Sequence, residues 1–260
     1  MLTRKKALGT ILLFARQELI DRQHGHVLGV AWLIIQPLSF IVLFSTVFSH
    51  LMRSRLGSDS SPYAYTVYLI GGMLAWNLFA NSLARLSTVF SSKAHLIRKV
   101  PVSLGLMPLH VVVVELTIYL ISMALYVAYL VLVGHPFSLT WIWLPLVIGL
   151  LAMLAYGGGI VLGMLDVFLP DVKNVVAILL QFGFWMTPIV YLPEILPPWA
   201  RQLLWLNPLY WAIDAVHAIV LGARAPDPAA LLGMGALAAV LIWLARWMKR
   251  RLERELRDLL

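Results

Sequence analysis

The chain has 260 residues, no cysteine and few charges. Without cysteine it forms no disulfide and offers no thiolate metal ligand or cysteine nucleophile. Charged residues make up only 12% of the sequence, which excludes a typical disordered protein, because disordered chains are polar and highly charged. No Gly-x-x-x-x-Gly-Lys-Ser/Thr loop and no Asp-x-Asp motif occurs. The sequence therefore predicts neither an ATP-binding domain nor an enzyme.

Apolar residues dominate the composition of the chain. They make up 61% of the chain, with a mean hydropathy of +0.87, whereas soluble domains are about 45–50% apolar. A helix needs about 20 apolar residues to cross the hydrocarbon core of a membrane. Backbone groups in lipid must pair within the chain, so we expect helices. The sequence predicts an all-α integral membrane protein with six transmembrane helices, over residues 30–52, 64–84, 109–133, 141–165, 174–191 and 229–247.

Positive charge is distributed unevenly around these six runs. The net charge is +8, and 16 lysines and arginines fall on one predicted side of the membrane against 4 on the other. Because cytoplasmic loops carry the excess of lysine and arginine, both termini are predicted to be cytoplasmic. We interpret the basic balance as membrane topology and expect no nucleic-acid partner.

Three segments fall outside the runs that make up spans one to five (30–191) and span six (229–247). Residues 1–29 place apolar side chains at helical spacing, with Arg16, Glu18 and Arg22 at polar positions, which predicts an amphipathic helix on the cytoplasmic membrane surface. Residues 192–222 contain several prolines and charges, and predict two short helices that enter the outer leaflet and return, either as a packed external cap or as part of a path. Residues 248–260 form a basic cytoplasmic tail.

A few polar or small residues within the apolar runs carry specific expectations. Glu115 is expected to pair with His110 or Arg85, the alternative being a proton relay. Gly159 and Gly163 have the spacing of a close helix–helix contact. Asp214 and His217, three residues apart, predict a local hydrogen bond, the alternative being a metal or acid–base pair. His24 and His26 have no evident third ligand, so we expect no metal site.

Aromatic side chains recur along single faces of the predicted spans. Two interpretations stay open: packing against lipid or core, and a lining on which sugar rings stack. The residues concerned are Phe40, Phe44, Phe48, Tyr119, Tyr126, Phe182 and Trp185.

The loop between spans two and three, Ser87 to Ser103, is short and basic. It is either a solvated charged loop or a docking helix for a soluble partner, with Leu96 and Ile97 as apolar anchors.

The order and spacing of several short motifs resemble one family, the membrane subunits of ABC exporters for lipid-linked polysaccharides such as O-antigen, teichoic acid and capsule. The resemblance covers essentially the whole chain. The motifs are Phe14-Ala15-Arg16, Leu28-Gly29-Val30-Ala31-Trp32, Gln36-Pro37-Leu38, the loop from Lys93 to Pro101, Pro170-Asp171-Val172, Met186-Thr187-Pro188-Ile189-Val190-Tyr191 and Leu206-Asn207-Pro208-Leu209. The family often has arginine where this chain has Pro170, so no charge interaction is expected there.

The resemblance implies a permease, not an enzyme. It implies a homodimer around a central channel in the bacterial inner membrane. Two ATP-binding cassette subunits would bind ATP and magnesium, leaving no cofactor in this chain. The substrate would be an undecaprenyl-diphosphate-linked polysaccharide entering from the cytoplasm. The alternative is an ABC permease for a drug or small lipid.

The resemblance also assigns roles to particular residues. Arg16 and Arg22 would meet the diphosphate head group where the substrate enters. The loop would couple to the ATPase through Lys93, His95, Leu96, Ile97, Arg98 and Lys99. The external helices would form an exit gate containing Pro197, Trp199, Trp205, Asn207 and Pro208.

Overall fold

The computed structural model describes residues 4–22, 28–51, 63–94, 107–222 and 224–259, and these contain helices but no strand. The α-helices are α1 Arg4–Asp21, α2 Trp32–Leu51, α3 Ala64–Leu86, α4 Val89–Ser92, α5 Leu109–Leu132, α6 Leu144–Phe168, α7 Val172–Met186, α8 Pro198–Leu204, α9 Pro208–Val220 and α10 Pro228–Leu259. Short 3₁₀ helices cover Gly29–Ala31, Leu139–Trp143 and Pro193–Ile195.

Among the described residues, four segments are long and apolar enough to cross a membrane: α3, α5, α6 with the 3₁₀ turn before it, and α10. The helices α8 and α9 make a fifth if they count as one span, although they are bent by 97° at the break between them. Two further apolar helices, α2 and α7, are shorter than these candidate spans. These helices confirm the prediction of an all-helical integral membrane protein.

Helix α3 is the centre of the bundle. It packs against α2, α5, α6, α7 and α9, and 14 of its 23 residues are buried. Polar side chains on this helix therefore face other helices or a cavity rather than lipid, which is how a membrane protein accommodates polar groups in a span.

The close contact predicted at Gly159 and Gly163 is confirmed, and its partner is α3. A Cβ atom at Gly163 would collide with the carbonyl oxygen of Leu86, and one at Gly159 would collide with the Leu86 Cβ. The absence of two side chains thus lets α6 approach the end of α3 at backbone distance, as small residues do between membrane helices.

Helix α10 packs along α6 and continues well past the predicted sixth span. A Cβ at Gly157 of α6 would lie 2.8 Å from the Leu241 Cβ of α10. The helix has 32 residues, which at ~1.5 Å per residue exceeds the ~30 Å hydrocarbon core. The predicted basic tail is therefore helical through Leu259.

Candidate binding cavity

A cavity of about 560 Å³ lies between α2, α3 and α5. Its volume falls in the ~300–1,000 Å³ range of small-molecule sites. Most of its lining residues are apolar, which suits a cavity within a membrane bundle. Amides and one end of an ion-pair network interrupt that lining.

Aromatic rings line the cavity on α2 and α5. Phe40 and Phe44 lie one turn apart on α2, with ring centroids 6.0 Å apart and an interplanar angle of 17°. Tyr119 of α5 is only 6% exposed, and its hydroxyl has no hydrogen-bond partner among the described residues. Trp32 also contributes to the wall. The cavity thus brings together three of the predicted aromatic residues, Phe40, Phe44 and Tyr119.

Three amides to which the sequence analysis gave no binding role also line the cavity. They are Gln36 of α2 and Asn77 and Asn81 of α3. Asn77 and Asn81 are four residues apart, so they share one face of α3. Arg85 follows Asn81 after four more residues of α3. This polar stripe of period four within an apolar span is the sequence signal that marks the site.

An ionic cluster of Glu18, Arg22, Arg85, His110 and Glu115 lies at one end of the cavity. The Glu115 side chain is 2% exposed and accepts hydrogen bonds from Arg85 Nη1, at 2.8 Å, and from Arg22. Since a buried charge is costly unless it is paired, two guanidinium partners explain how a carboxylate is held within α5. The predicted pairing of Glu115 with Arg85 is confirmed.

The second acid of the cluster corrects a prediction. Glu18 was placed at a polar position of a surface helix, but it is 7% exposed and faces the bundle. It pairs with Arg85 and with His110 Nε2, at 2.5 Å. The attraction of the Arg85 guanidinium on α3 turns this face of α1 inward, while Leu12 and Leu13 stay exposed.

The two arginines predicted to meet a head group are placed differently. Arg22 lies at the cavity, with Glu115 and Glu18 as ion-pair partners. Arg16 is exposed on α1, away from the cavity lining. An anion reaching Arg22 would therefore compete with Glu115, whereas one reaching Arg16 would meet an open side chain.

Three further predicted channel residues, Tyr126, Phe182 and Trp185, do not line this cavity. Tyr126 is fully buried in the core, and its hydroxyl donates to the Val67 carbonyl at 2.6 Å. Phe182 and Trp185 lie on α7 with 64% and 63% exposure. The side chain of Phe48 lies outside the described residues.

The predicted gate residues form a folded corner before α9. Asn207 caps α9 by accepting the Leu209 N–H at 3.0 Å, and its amide donates to Thr187 Oγ1 at 2.9 Å. Pro208 is the first residue of α9, where a missing N–H costs nothing. The Trp205 ring packs edge-on against Tyr210, with centroids 5.6 Å apart.

The rest of the predicted gate lies at the start of α8. Pro197 is the N-cap residue of α8, and Trp199 is 67% exposed. The chain just before it is held by α3, because the Tyr65 hydroxyl donates to the Val190 carbonyl at 2.6 Å and the Tyr68 hydroxyl lies 2.8 Å from the Pro188 carbonyl. These bonds satisfy carbonyl groups of a non-helical segment.

The segment that leads into the predicted coupling loop is fixed to α6. Helix α4 buries Phe90, and the Ser91 hydroxyl donates to the Asp166 carboxylate at 2.5 Å. Lys93 follows directly and is half-buried. The other coupling residues, His95, Leu96, Ile97, Arg98 and Lys99, lie outside the described residues, as do His24 and His26.

The predicted hydrogen bond between Asp214 and His217 is wrong. Asp214 pairs with Arg224 at 2.6 Å, while His217 is buried and stacks on the Tyr68 ring with centroids 3.6 Å apart. Their helix turns the two side chains toward different neighbours, one at the surface and one against α3.

Comparison with known proteins gives one family. Residues 10–221 match the family described as ABC-2 type transporter. The O-antigen export system permease protein RfbA of Klebsiella pneumoniae is 27% identical over 200 residues, covering 76% of this chain and 75% of the relative. The protein of the same name from Myxococcus xanthus is 26% identical over 243 residues, covering 91% of this chain and 90% of the relative. The polysialic acid transport protein KpsM of Escherichia coli is 24% identical over 231 residues, covering 86% of each chain.

Proposed function

Because this chain belongs to the ABC-2 type transporter family, we propose that it is the permease of an ATP-driven exporter for undecaprenyl-diphosphate-linked polysaccharide. The observation that carries the proposal is the similarity, over about nine-tenths of both chains, to a protein named as an O-antigen export permease. A cavity with aromatic and amide walls is compatible with a glycan substrate.

The proposed topology has six spans: α2, α3, α5, α6, α7 and α10. The bent pair α8–α9 enters and leaves on the external side, so both termini lie in the cytoplasm of a bacterial inner membrane. Two observations support this arrangement: the excess of lysine and arginine on the cytoplasmic side, and the 97° bend, which is too sharp for a continuous span.

The proposed energy source is a separate ATP-binding cassette subunit, which binds ATP and magnesium and docks on the loop after α4. The contact between Ser91 and Asp166 supports this role, because it ties the start of the loop to α6. Movement of the docked subunit would then reach α3 and α6 together.

The proposed assembly contains two copies of this chain. Helix α7 supports it, since Val176 is its one buried residue and its apolar side chains are open to a second copy. Phe182→Cys should crosslink between copies in the membrane, whereas Leu132→Cys, on the exposed face of α5, should not. Equal crosslinking at both positions would remove α7 from the dimer contact.

The experiment that tests the function is deletion of the gene, followed by assay of polysaccharide on the cell surface and of lipid-linked glycan inside. We expect loss from the surface, accumulation inside, and restoration by the wild-type gene. An unchanged surface with no internal pool would contradict polysaccharide export and favour a drug or small-lipid permease.

A further inference from the structure

The amides of the cavity have no hydrogen-bond partner within the described part of the chain. No hydrogen bond joins the side chains of Gln36, Asn77 or Asn81 to any residue that the structure describes. Each amide carries two N–H donors and a carbonyl acceptor. Gln36 and Asn81 are exposed and Asn77 is half-buried, so three amides that line one cavity remain open to its contents and favour a polar ligand there.

The Tyr119 hydroxyl is a fourth polar group that supports a polar ligand, independently of the amides. The Tyr119 hydroxyl is on a different helix, is buried, and also has no partner in the described parts of the chain. Buried polar atoms in native proteins are nearly always satisfied, so those that are not call for an explanation such as a ligand. Tyr119 is 6% exposed and lines the cavity, so a molecule bound there would supply the missing partner.

The arrangement of the polar groups restricts the class of ligand. Asn77 and Asn81 are separated by ~6 Å along the axis of α3, from four residues at ~1.5 Å each. Across the cavity on α2 stand the Phe40 and Phe44 rings, which offer apolar faces over a similar length. A hydrocarbon chain would fill the aromatic side and leave the amides unpaired. A polyhydroxylated ring matches both sides, with its C–H face on the phenyl rings and its hydroxyls on the amides.

We propose that this cavity is a sugar subsite in which Gln36, Asn77, Asn81 and Tyr119 recognise hydroxyl groups of the transported molecule. The proposal deepens the proposed export function and rests on it for the identity of that molecule. It assigns specificity to the amides and leaves the phenyl rings as a stacking surface. The Arg22–Glu115 pair closes one end of the subsite.

The test uses two amphiphiles, octyl maltoside and octyl phosphocholine, which share an alkyl chain and differ in the head group. The full chain in lipid nanodiscs carries the single substitution Leu74→Cys, which puts a thiol on the cavity wall. The measurement is protection of this thiol from a maleimide by each probe. We expect the maltoside to protect at about tenfold lower concentration than the phosphocholine, since two or more hydrogen bonds of modest net value separate them.

The decisive variants change the amides and the hydroxyl without changing shape. Asn77→Leu with Asn81→Leu, and Tyr119→Phe alone, should each remove most of the preference for the maltoside. Thr117→Val is the matched control on α5, because the Thr117 hydroxyl donates to its own helix at Val113 and does not line the cavity. It should leave the preference intact.

The outcomes separate this proposal from the export function. Equal protection by both probes in the wild-type chain, or an unchanged preference in the leucine and phenylalanine variants, would overturn the subsite. A sugar preference that depends on the amides, in a chain whose deletion leaves surface polysaccharide unchanged, would support the subsite and overturn polysaccharide as its ligand.

Discussion

The Arg85 guanidinium of α3 lies 2.8 Å from Oε1 of Glu115 on α5, while the same side chain also pairs with Glu18 of α1. One arginine thus joins three helices through two carboxylates that are almost fully buried. The first helix is attached to the bundle by charge as well as by apolar packing, and its attachment point borders the cavity.

Replacing Glu115 by glutamine should destabilise the chain by about 3 kcal/mol, because breaking a buried ion pair leaves its partners uncompensated. The measurement is the midpoint of heat-induced aggregation of the purified protein, followed by size-exclusion chromatography. Asp214→Asn is the control, since its partner Arg224 is half exposed and such pairs contribute under ~1 kcal/mol. Equal shifts for both variants would contradict a structural role for the ionic cluster.

Gly163→Ala should lower the same midpoint and reduce the yield of folded protein. Its new Cβ would meet the Leu86 carbonyl oxygen, a backbone atom that cannot move aside. The matched control is Gly149→Ala on the same helix, where the Cβ meets nothing within 4 Å. This control should be neutral or stabilising by up to ~1 kcal/mol, because alanine favours helix more than glycine does. A tolerated Gly163→Ala would mean that α3 and α6 are not in close contact.

Replacing both Leu96 and Ile97 by aspartate should reduce the partner ATPase to its unstimulated rate while the membrane bundle stays folded. Charges at the two apolar anchors would prevent docking, and the residues lie beyond the anchored end at Ser91. The measurement is ATP hydrolysis by the reconstituted complex. Leu206→Asp, on the expected external side, controls for a general effect of added charge. Undiminished stimulation would disprove docking at this loop.

The predicted topology can be checked with single cysteines, because the natural chain has none. Leu206→Cys should react with a membrane-impermeant maleimide on intact cells, and His95→Cys only after permeabilisation. The positive-inside distribution of charge is the reason for both expectations. The reverse labelling pattern would show that the protein has the opposite orientation in the membrane.

Phe44→Ala should slow export severalfold with little loss of folded protein, since the ring lines the cavity and is only partly buried. Trp185→Ala should slow export as well if the exposed face of α7 lines a path between two copies. Surface polysaccharide normalised to permease abundance is the measurement. A well-expressed variant that carries both substitutions provides the counter-test. Normal export by that variant would show that both rings serve only in packing.

The helices were largely predictable because a membrane span is recorded locally in the sequence. Apolar runs at 64–84 and 109–133 correspond to α3 Ala64–Leu86 and α5 Leu109–Leu132. The run at 174–191 extends beyond α7, which ends at Met186, because Pro188 has no N–H to continue the helical bonding.

The site was predicted less completely because its residues come from three helices. The aromatic pattern identified Phe40, Phe44 and Tyr119, but periodicity also grouped Tyr126 with them, and its neighbours in space bury it in the core. Asn77 and Asn81 are visible in the sequence as two amides in an apolar run. No local sequence pattern shows whether the helix face that carries them packs against another helix or lines a cavity.

By itself, the sequence determined that this protein is a helical membrane protein, because the hydrocarbon core demands long apolar helices wherever the chain crosses it. It also determined the close contact at Gly159 and Gly163, since missing side chains permit it. Only the tertiary structure decided the partners: Leu86 for the glycines, Glu18 and Glu115 for Arg85, and an open cavity for the amides. The reason is that charge pairing and cavity formation depend on distances between helices far apart in the chain.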